Sequence, residues 1–537
     1  MLLAVAALAD VVFVNGRFVT LDPGRPRVEA LAVQAGRIVA LGSEAEVLRL
    51  AGPATRRVDL EGGTAVPGLA DAHVHVENMG AAREVLDLVG AASVAEALRR
   101  VGERARTLPP GEWLLGRGWD QNDWAEKRFP VAADLDGVAP DRPVFLVRVD
   151  GHAAWANTRA LEMAGVKAAT PDPAGGRILR DAEGRPAGVL VDAAQSLVRV
   201  KIPPPSREAR KRRLAAGLRA AAEAGLTSVH DAGVDLETIS LYKELLAEGA
   251  VPIRVYAMLR PADFLARPEL KPEVGLGDGR LTVRSIKAVA DGALGSRGAL
   301  LLAPYSDEPG TRGLLTVDPA GFKVLLQAAR ARGFQVNTHA IGDGANRFVL
   351  DAYQQALGGD GGRSRFRVEH AQVVAPSDVP RFKALGVIPS VQPTHCTSDM
   401  YWATDRLGPE RAKGAYLWRT FLDLGLPLAA GSDAPVESPS VVAGLYAAVT
   451  RQDAKGWPEG GWHPQERVGA TEALAMFSTH AAFAAFEEDD LGALTVGRRA
   501  DLTVLSRDPT AGPARALLDT EIVMTVVGGE AVYARGR

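Results

Sequence analysis

Hydrophobic and polar positions follow three different rhythms along this chain. Residues 10–63 alternate short β-rich runs (11–14, 30–34 and 38–41) with turns at Asn15-Gly16 and Gly36-Arg37. The same habit returns near the other end, in residues 492–505 and 521–527. Neither end carries enough strands for a stable sheet of its own, so together they predict a small discontinuous β-sandwich from residues 10–63 and 488–537.

Between these ends, residues 64–487 change rhythm. Eight apolar runs, at 64–69, 226–230, 253–259, 283–289, 335–339, 367–370, 387–391 and 426–430, alternate with long Ala/Leu/Arg-rich stretches of helical period. Near-continuous apolar strands flanked by helices mean a parallel sheet buried on both faces. Eight of them predict an α/β fold of the (β/α)₈ barrel type, with an open doubly wound sheet as the alternative. The connection from residue 78 to 225 is too long for a barrel loop and must carry its own structure, an insertion of about residues 80–222. It holds helical segments at 94–107 and 207–224, a hairpin-like turn at 181–186, and the tryptophans Trp113, Trp119, Trp124 and Trp155. Leaving from the carboxyl end of the first strand, it is expected to lie over the barrel mouth as a lid.

Composition narrows the class. The chain has 537 residues, 47% of them hydrophobic, and 62 basic against 65 acidic side chains. That balance leaves no basic field for nucleic acid, and the short cluster at 207–213 reads as a solvated helix face. No apolar run is long enough for a membrane span. The single Cys396 excludes an internal disulfide framework. Residues 1–9 are apolar but lack the basic start of a signal peptide, so a cytoplasmic location is expected, with secretion or a periplasmic location as the alternative if they are a signal remnant.

The chemistry lies at the strand ends, where barrel enzymes keep their catalytic groups. Gly68-Leu-Ala-Asp-Ala-His-Val-His-Val76 sets His73 and His75 at i and i+2, on one face of the first strand, with Asp71 in the same register. Two imidazoles so placed can hold one metal ion. His230, Lys287, His339, His370 and Asp433 end further strands, and His395 sits just past the seventh. Lys287 could instead pair with Asp291, His230 could be a packed histidine, His152 a turn residue, and Trp119 and Trp124 the core of the insertion.

This pattern resembles the metal-dependent amidohydrolase superfamily. The likeness extends to Gly497-Arg-Arg-Ala-Asp501 near the C-terminus, and so covers nearly the whole chain. Within it, GRGWDQNDW at 116–124, Asp150-Gly-His152, Asp291-Gly-Ala-Leu-Gly-Ser296, Glu369-His-Ala-Gln372 and Gly431-Ser-Asp-Ala-Pro435 resemble the N-substituted formamide deformylase-like branch. The resemblance implies that His73, His75 and Asp433 hold the more buried of two divalent metals and that His339 and His370 hold the second. Lys287, carboxylated to a carbamate, would bridge them. Zinc is the first expectation, with manganese, iron, cobalt or nickel as substitutes. Asp433 would also be catalytic, shuttling a proton, and Trp119, Asp120, His152, His230 and His395 would contact substrate. The implied activity is hydrolysis of a non-peptide carbon–nitrogen bond, of amide or formamide type, by metal-activated hydroxide. The expected partner is a small amide with an apolar or aromatic substituent, and a homodimer is compatible with this picture. Esterase, lactonase, phosphotriesterase-like or deaminase activity at the same site is the enzymatic alternative. A non-catalytic sensor on the same fold is the other.

Overall fold

Eight parallel strands organise the larger part of the molecule: β1 Leu69–Val74, β2 Leu226–Val234, β3 Arg254–Leu259, β4 Leu281–Val289, β5 Gln335–Ala340, β6 Arg367–His370, β7 Ile388–Val391 and β8 Ala429–Ala430. The computed structural model describes residues 8–121, 124, 126–148, 151, 153–173, 176–295, 297–359 and 361–536. The strands neighbour one another in chain order from β1 to β8. Every residue of β1, β3, β6 and β7 is buried, as expected for strands covered on both faces. The sheet nearly closes into a barrel. Across the remaining gap Asp433 N–H donates to His73 C=O at 2.7 Å and His75 N–H to Ala434 C=O at 2.9 Å. Gly431 permits this approach, because a Cβ there would lie 2.5 Å from Asp71 Oδ1 and 2.6 Å from His73 N.

One boundary differs from expectation. The run at 64–69 is two strands, since Thr64–Pro67 pairs antiparallel with Leu502–Leu505 and parallel with Arg17–Val19, and the barrel begins only at Leu69. Only Gly68 lies between Pro67 and Leu69, with no polar break, so hydrophobic pattern could not separate them.

The two chain ends form a four-stranded sheet, ordered Arg37–Gly42, Ala30–Gln34, Val11–Val14, Arg56–Asp59, and a six-stranded one. The latter runs Glu530–Ala534, Ile522–Val527, Leu502–Leu505, Thr64–Pro67, Arg17–Val19, Arg27–Val28. Val11, Phe13 and Val33 from one sheet share a core with Leu502, Val504 and Val526 from the other. Arg254 at the start of β3 grips Asp501 through two hydrogen bonds of 2.6 and 2.9 Å, both side chains being almost fully buried.

The chain divides into two compact units, Met1–Met79 with Leu214–Arg537, and Gly80–Arg213. The inserted unit has its own six-stranded sheet, with Pro186–Asp192, Ala153–Ala156, Val144–Arg148 and Leu114–Trp119 adjacent in that order. Its core is built on Trp119, Trp124 and Trp155, whose rings lie 5.9 to 6.2 Å apart. Among the described residues no helix is long and apolar enough to cross a membrane.

Candidate metal centre

Strand ends bring His73, His75, His370, His395 and Asp433 together. The potential ligand atoms of His73, His75 and Asp433 all lie within 4.8 Å of one another, as do those of His370, His395 and Asp433. Asp433 is common to both groups. Its Oδ1 is 3.1 Å from His75 Nε2 and 3.7 Å from His73 Nε2, and its Oδ2 is 3.8 Å from His395 Nε2. His339 packs its ring 4.4 Å from that of His370. Two of these residues take left-handed backbone, His370 at φ 72° and Asp433 at φ 60°. Such conformations cost energy and concentrate at sites where side chains must be aimed.

A neutral imidazole has one N–H and one lone pair, and the partner of the N–H decides which nitrogen is left to ligate. His75 Nδ1 faces the Ala232 carbonyl at 2.9 Å, His370 Nδ1 faces Gln392 Oε1 at 2.7 Å, and His73 Nδ1 is in close contact with Glu369 Oε2. For these three, Nε2 is therefore the lone-pair nitrogen. His339 is reversed, with Nε2 3.4 Å from the Gly292 carbonyl and 3.5 Å from Asp291 Oδ1.

Burial, reinforced by the nearby Lys287 charge, lowers the pKa of His73 to about 4 and of His339 to about 3. Burial likewise holds His370 well below the usual value. These imidazoles are neutral at neutral pH, as ligation requires. Burial pushes the Asp433 carboxyl upward, but its hydrogen bond with His75 and the electrostatic influence of the surrounding histidines prevail and hold it far below the usual carboxylate range. Lys287 Nζ is 3.2 Å from His73 Nε2, and burial lowers its pKa against the opposing charges of Glu369 and Asp433. Asp291 does not pair with it. That carboxylate instead accepts N–H groups from Leu300, Ile341 and Gly342 at 2.8 to 3.0 Å.

The donor set suits a divalent metal. Inward lone pairs and a carboxylate converge, and among the described residues Asp433 Oδ1 and His395 Nε2 are buried without a well-aligned hydrogen bond. Buried polar atoms rarely go unpaired, and a cation would satisfy both.

Other sequence-derived residues have different places. Asp71 does not face the cluster. It accepts from His73 N–H and Ser432 N–H, each at 3.0 Å, and from the Ser432 hydroxyl at 2.5 Å, tying β1 to the segment after β8. His230, expected to meet substrate, is a packed histidine: it is 1% exposed, its Nδ1 is 3.0 Å from Arg367 Nη1, and its ring lies against Tyr256. It points into the barrel interior, where the hydrophobic pattern marks a strand residue but not which way it faces. Trp119 also reads as core, being fully buried in the inserted unit with its indole N–H donated to Leu146 C=O at 2.8 Å. A side chain without accessible surface cannot line a pocket. Asp120 in the same unit holds Arg148 at 2.5 Å. His152 lies outside the described residues. Glu369 and Gln392, which orient His73 and His370, were not assigned roles from sequence. The signal for Glu369 was a carboxylate in a short strand buried throughout, next to a candidate ligand. It stays ionised, because Arg367, His73 and Lys287 overcome burial and hold it at about 2.

A (β/α)₈ barrel with inward histidines and an aspartate at the carboxyl ends of its strands defines a metal-dependent hydrolase. The chain belongs to the amidohydrolase family, whose model matches residues 56–533. It is accordingly an enzyme that hydrolyses carbon–nitrogen bonds other than peptide bonds. It is 35% identical to the protein LONG AFTER FAR-RED 3 of Arabidopsis thaliana, over 98% of this chain and 92% of that one. It is 30% identical to the N-substituted formamide deformylase of Arthrobacter pascens, over 98% and 99%. A crystal structure of an uncharacterized metal-dependent hydrolase from Pyrococcus furiosus superposes with a TM-score of 0.77 at 30% identity, covering 93% of this chain and all of that one.

Proposed function

We propose that the protein cleaves an amide or formamide bond in a small molecule with an apolar or aromatic N-substituent, using divalent metal, zinc first, at the centre built on His73, His75 and Asp433. The observation that carries this reading is the convergence of the His73 and His75 Nε2 lone pairs on one carboxylate oxygen of Asp433. His370 and His339 stand ready for a second metal. Lys287, buried and with a lowered pKa, would as the neutral amine add carbon dioxide with loss of one proton, and the resulting carbamate would offer oxygen ligands to the metal positions.

A divalent cation held there would supply Lewis acidity, polarising the substrate carbonyl and acidifying a water. The chain's own residues do the rest. Asp433, ionised and facing the other candidate ligands, accepts the proton of the attacking water and returns it to the nitrogen as the C–N bond breaks, so that an amine and not an amide anion leaves. Glu369 and Gln392 keep His73 and His370 in one tautomer throughout. A cavity of about 700 Å³ adjoins His75 and Lys287 and carries Val234, Leu265, Val289 and Phe322 on its wall. Its size and apolar lining suit the N-substituent. The name of the Arthrobacter relative supports the formamide class.

The test is a hydrolysis panel on metal-loaded protein, spanning N-substituted formamides, acyl-amino acids, cyclic amides and aryl esters. Amine release from the acyl-nitrogen compounds is expected. Turnover of esters alone would overturn the assignment.

A further inference from the structure

His75 is held differently from His73. The His73 side chain is fully buried with the Glu369 carboxylate behind its ring, whereas that of His75 is 31% exposed and stands where β1 gives way to the helix Val76–Glu84. The His75 carbonyl accepts the Met79 N–H at 2.9 Å and closes the first turn, which puts His75 at the capping position of this helix. A helix start leaves N–H groups without partners, and a capping residue usually covers one of them with its own side-chain oxygen. An imidazole turned toward Asp433 cannot do so.

Strand β2 supplies what His75 lacks. Asp231 Oδ1 accepts the Val76 N–H at 3.0 Å, and the next carbonyl, that of Ala232, faces His75 Nδ1 at 2.9 Å. The other oxygen of Asp231 is fixed in turn, accepting the Tyr242 hydroxyl at 2.6 Å from the helix Leu236–Ala247, and both side chains are buried. The backbone is shaped for these contacts. Pairing with β3 shifts register between Ala232 and Val234, and Gly233 lies at φ 79°, a left-handed conformation suited to glycine. Arg260 pins this bulge through its Nε to the Gly233 carbonyl at 2.8 Å and its backbone N–H to the Val234 carbonyl at 2.9 Å.

We propose that Asp231 is a positioning residue for metal binding: held by Tyr242, it anchors the main chain that follows His75 and thereby fixes the imidazole whose ring N–H the Ala232 carbonyl receives. This rests on the metal-centre reading above. Asp231 does for the half-exposed His75 what Glu369 does for His73, but it acts on the backbone and not on the ring. Although it borders the cavity beside His75, its two oxygens are engaged by Val76 and Tyr242, so its part is neither to ligate nor to receive substrate.

The experiment is zinc binding by metal-free protein in competition with a chromogenic chelator, with circular dichroism to check folding. His75→Ala identifies the equivalent of zinc that depends on His75. Asp231→Leu fills a similar space without an acceptor and should weaken that equivalent about 10–100-fold, the usual effect of losing a hydrogen bond behind a metal ligand. Asp231→Asn keeps an oxygen for the Val76 N–H and should stay within a few-fold of the parent. Tyr242→Phe releases one carboxylate oxygen without emptying the core, should weaken the same equivalent several-fold, and decides the matter if Asp231→Leu does not fold. Asp501→Asn, beside the start of β3, is the control for a loosened fold, which should lower stability and leave zinc affinity at the parental level. Parental affinity in a folded Asp231→Leu protein or in Tyr242→Phe, or an Asp231→Asn protein as weak as Asp231→Leu, would overturn the proposal. Undiminished zinc binding in His75→Ala would overturn it by removing His75 from the ligands, whereas a parent that binds no zinc refutes the metal-dependent reading as well.

Discussion

Replacing Asp433 with asparagine isolates its proton chemistry from its structural role. The backbone should not notice. Asparagine tolerates the left-handed conformation found here (φ 60°), and the 2.7 Å hydrogen bond from residue 433 N–H to His73 C=O involves no side chain. The amide oxygen can take over weak coordination between His73 and His75, so much of the metal should remain. What disappears is a carboxylate whose pKa the surrounding imidazoles hold far down, and with it the acceptor for the attacking water's proton. Loss of a positioned general base costs about 10²–10⁴-fold in rate, equivalent to a barrier raised by about 2.7–5.4 kcal/mol. The loss should be largest for alkyl amides, whose nitrogen must be protonated before it leaves, and smaller for activated anilides. The assay is single-turnover hydrolysis of both substrate classes at matched metal content. An Asp433→Asn enzyme that cleaves alkyl amides within a few-fold of the parent would remove Asp433 from proton transfer.

Three further outcomes are expected. Lys287→Ala should lose metal and most activity, and partial rescue by short carboxylic acids would support the carbamate, while normal metal content would return the lysine to a structural part. Glu369→Gln keeps the size of the side chain but removes the charge that faces His73 Nδ1, and should weaken metal binding by about 10–100-fold as read by competition with a chromogenic chelator; unchanged affinity would show that His73 needs no carboxylate behind it. Asp501→Asn leaves the Arg254 guanidinium buried without its counter-charge and should destabilise the protein by about 3–5 kcal/mol in denaturant unfolding, with little change in metal content at low denaturant; a loss under 1 kcal/mol would contradict that pairing.

Much of this was readable from the amino-acid order, for physical reasons that differ residue by residue. The barrel announced itself because strands buried on both faces must be apolar throughout, and His73, His75, His339, His370 and Asp433 stood out as polar residues at the ends of such runs. Direction within a strand was harder to read. Asp71 and His230 occupy strands as the candidate ligands do, but one turns to Ser432 and the other to Arg367, contacts between residues 361 and 137 positions apart that periodicity does not encode. The same applies to Glu369 and Gln392, which matter because of what their side chains meet on other strands: Glu369 faces His73 on β1, and Gln392, just past β7, faces His370 on β6. Thr64–Pro67 and the start of Leu69–Val74 read as one run because a single glycine, with no polar break, divides segments that belong to different sheets.

Hydrolysis of carbon–nitrogen bonds by means of a metal held by His73, His75 and Asp433 is the proposed activity of this centre. Its most direct test is amine release from an N-substituted formamide, measured on one protein preparation as purified, after exhaustive chelation, and after stoichiometric return of zinc or cobalt. Activity should vanish with the metal, return with it in proportion to occupancy, and stay absent in a folded His73→Ala/His75→Ala variant treated identically. Amide hydrolysis that persists in verified metal-free protein, or in that variant, would show that these residues hold no metal the reaction needs.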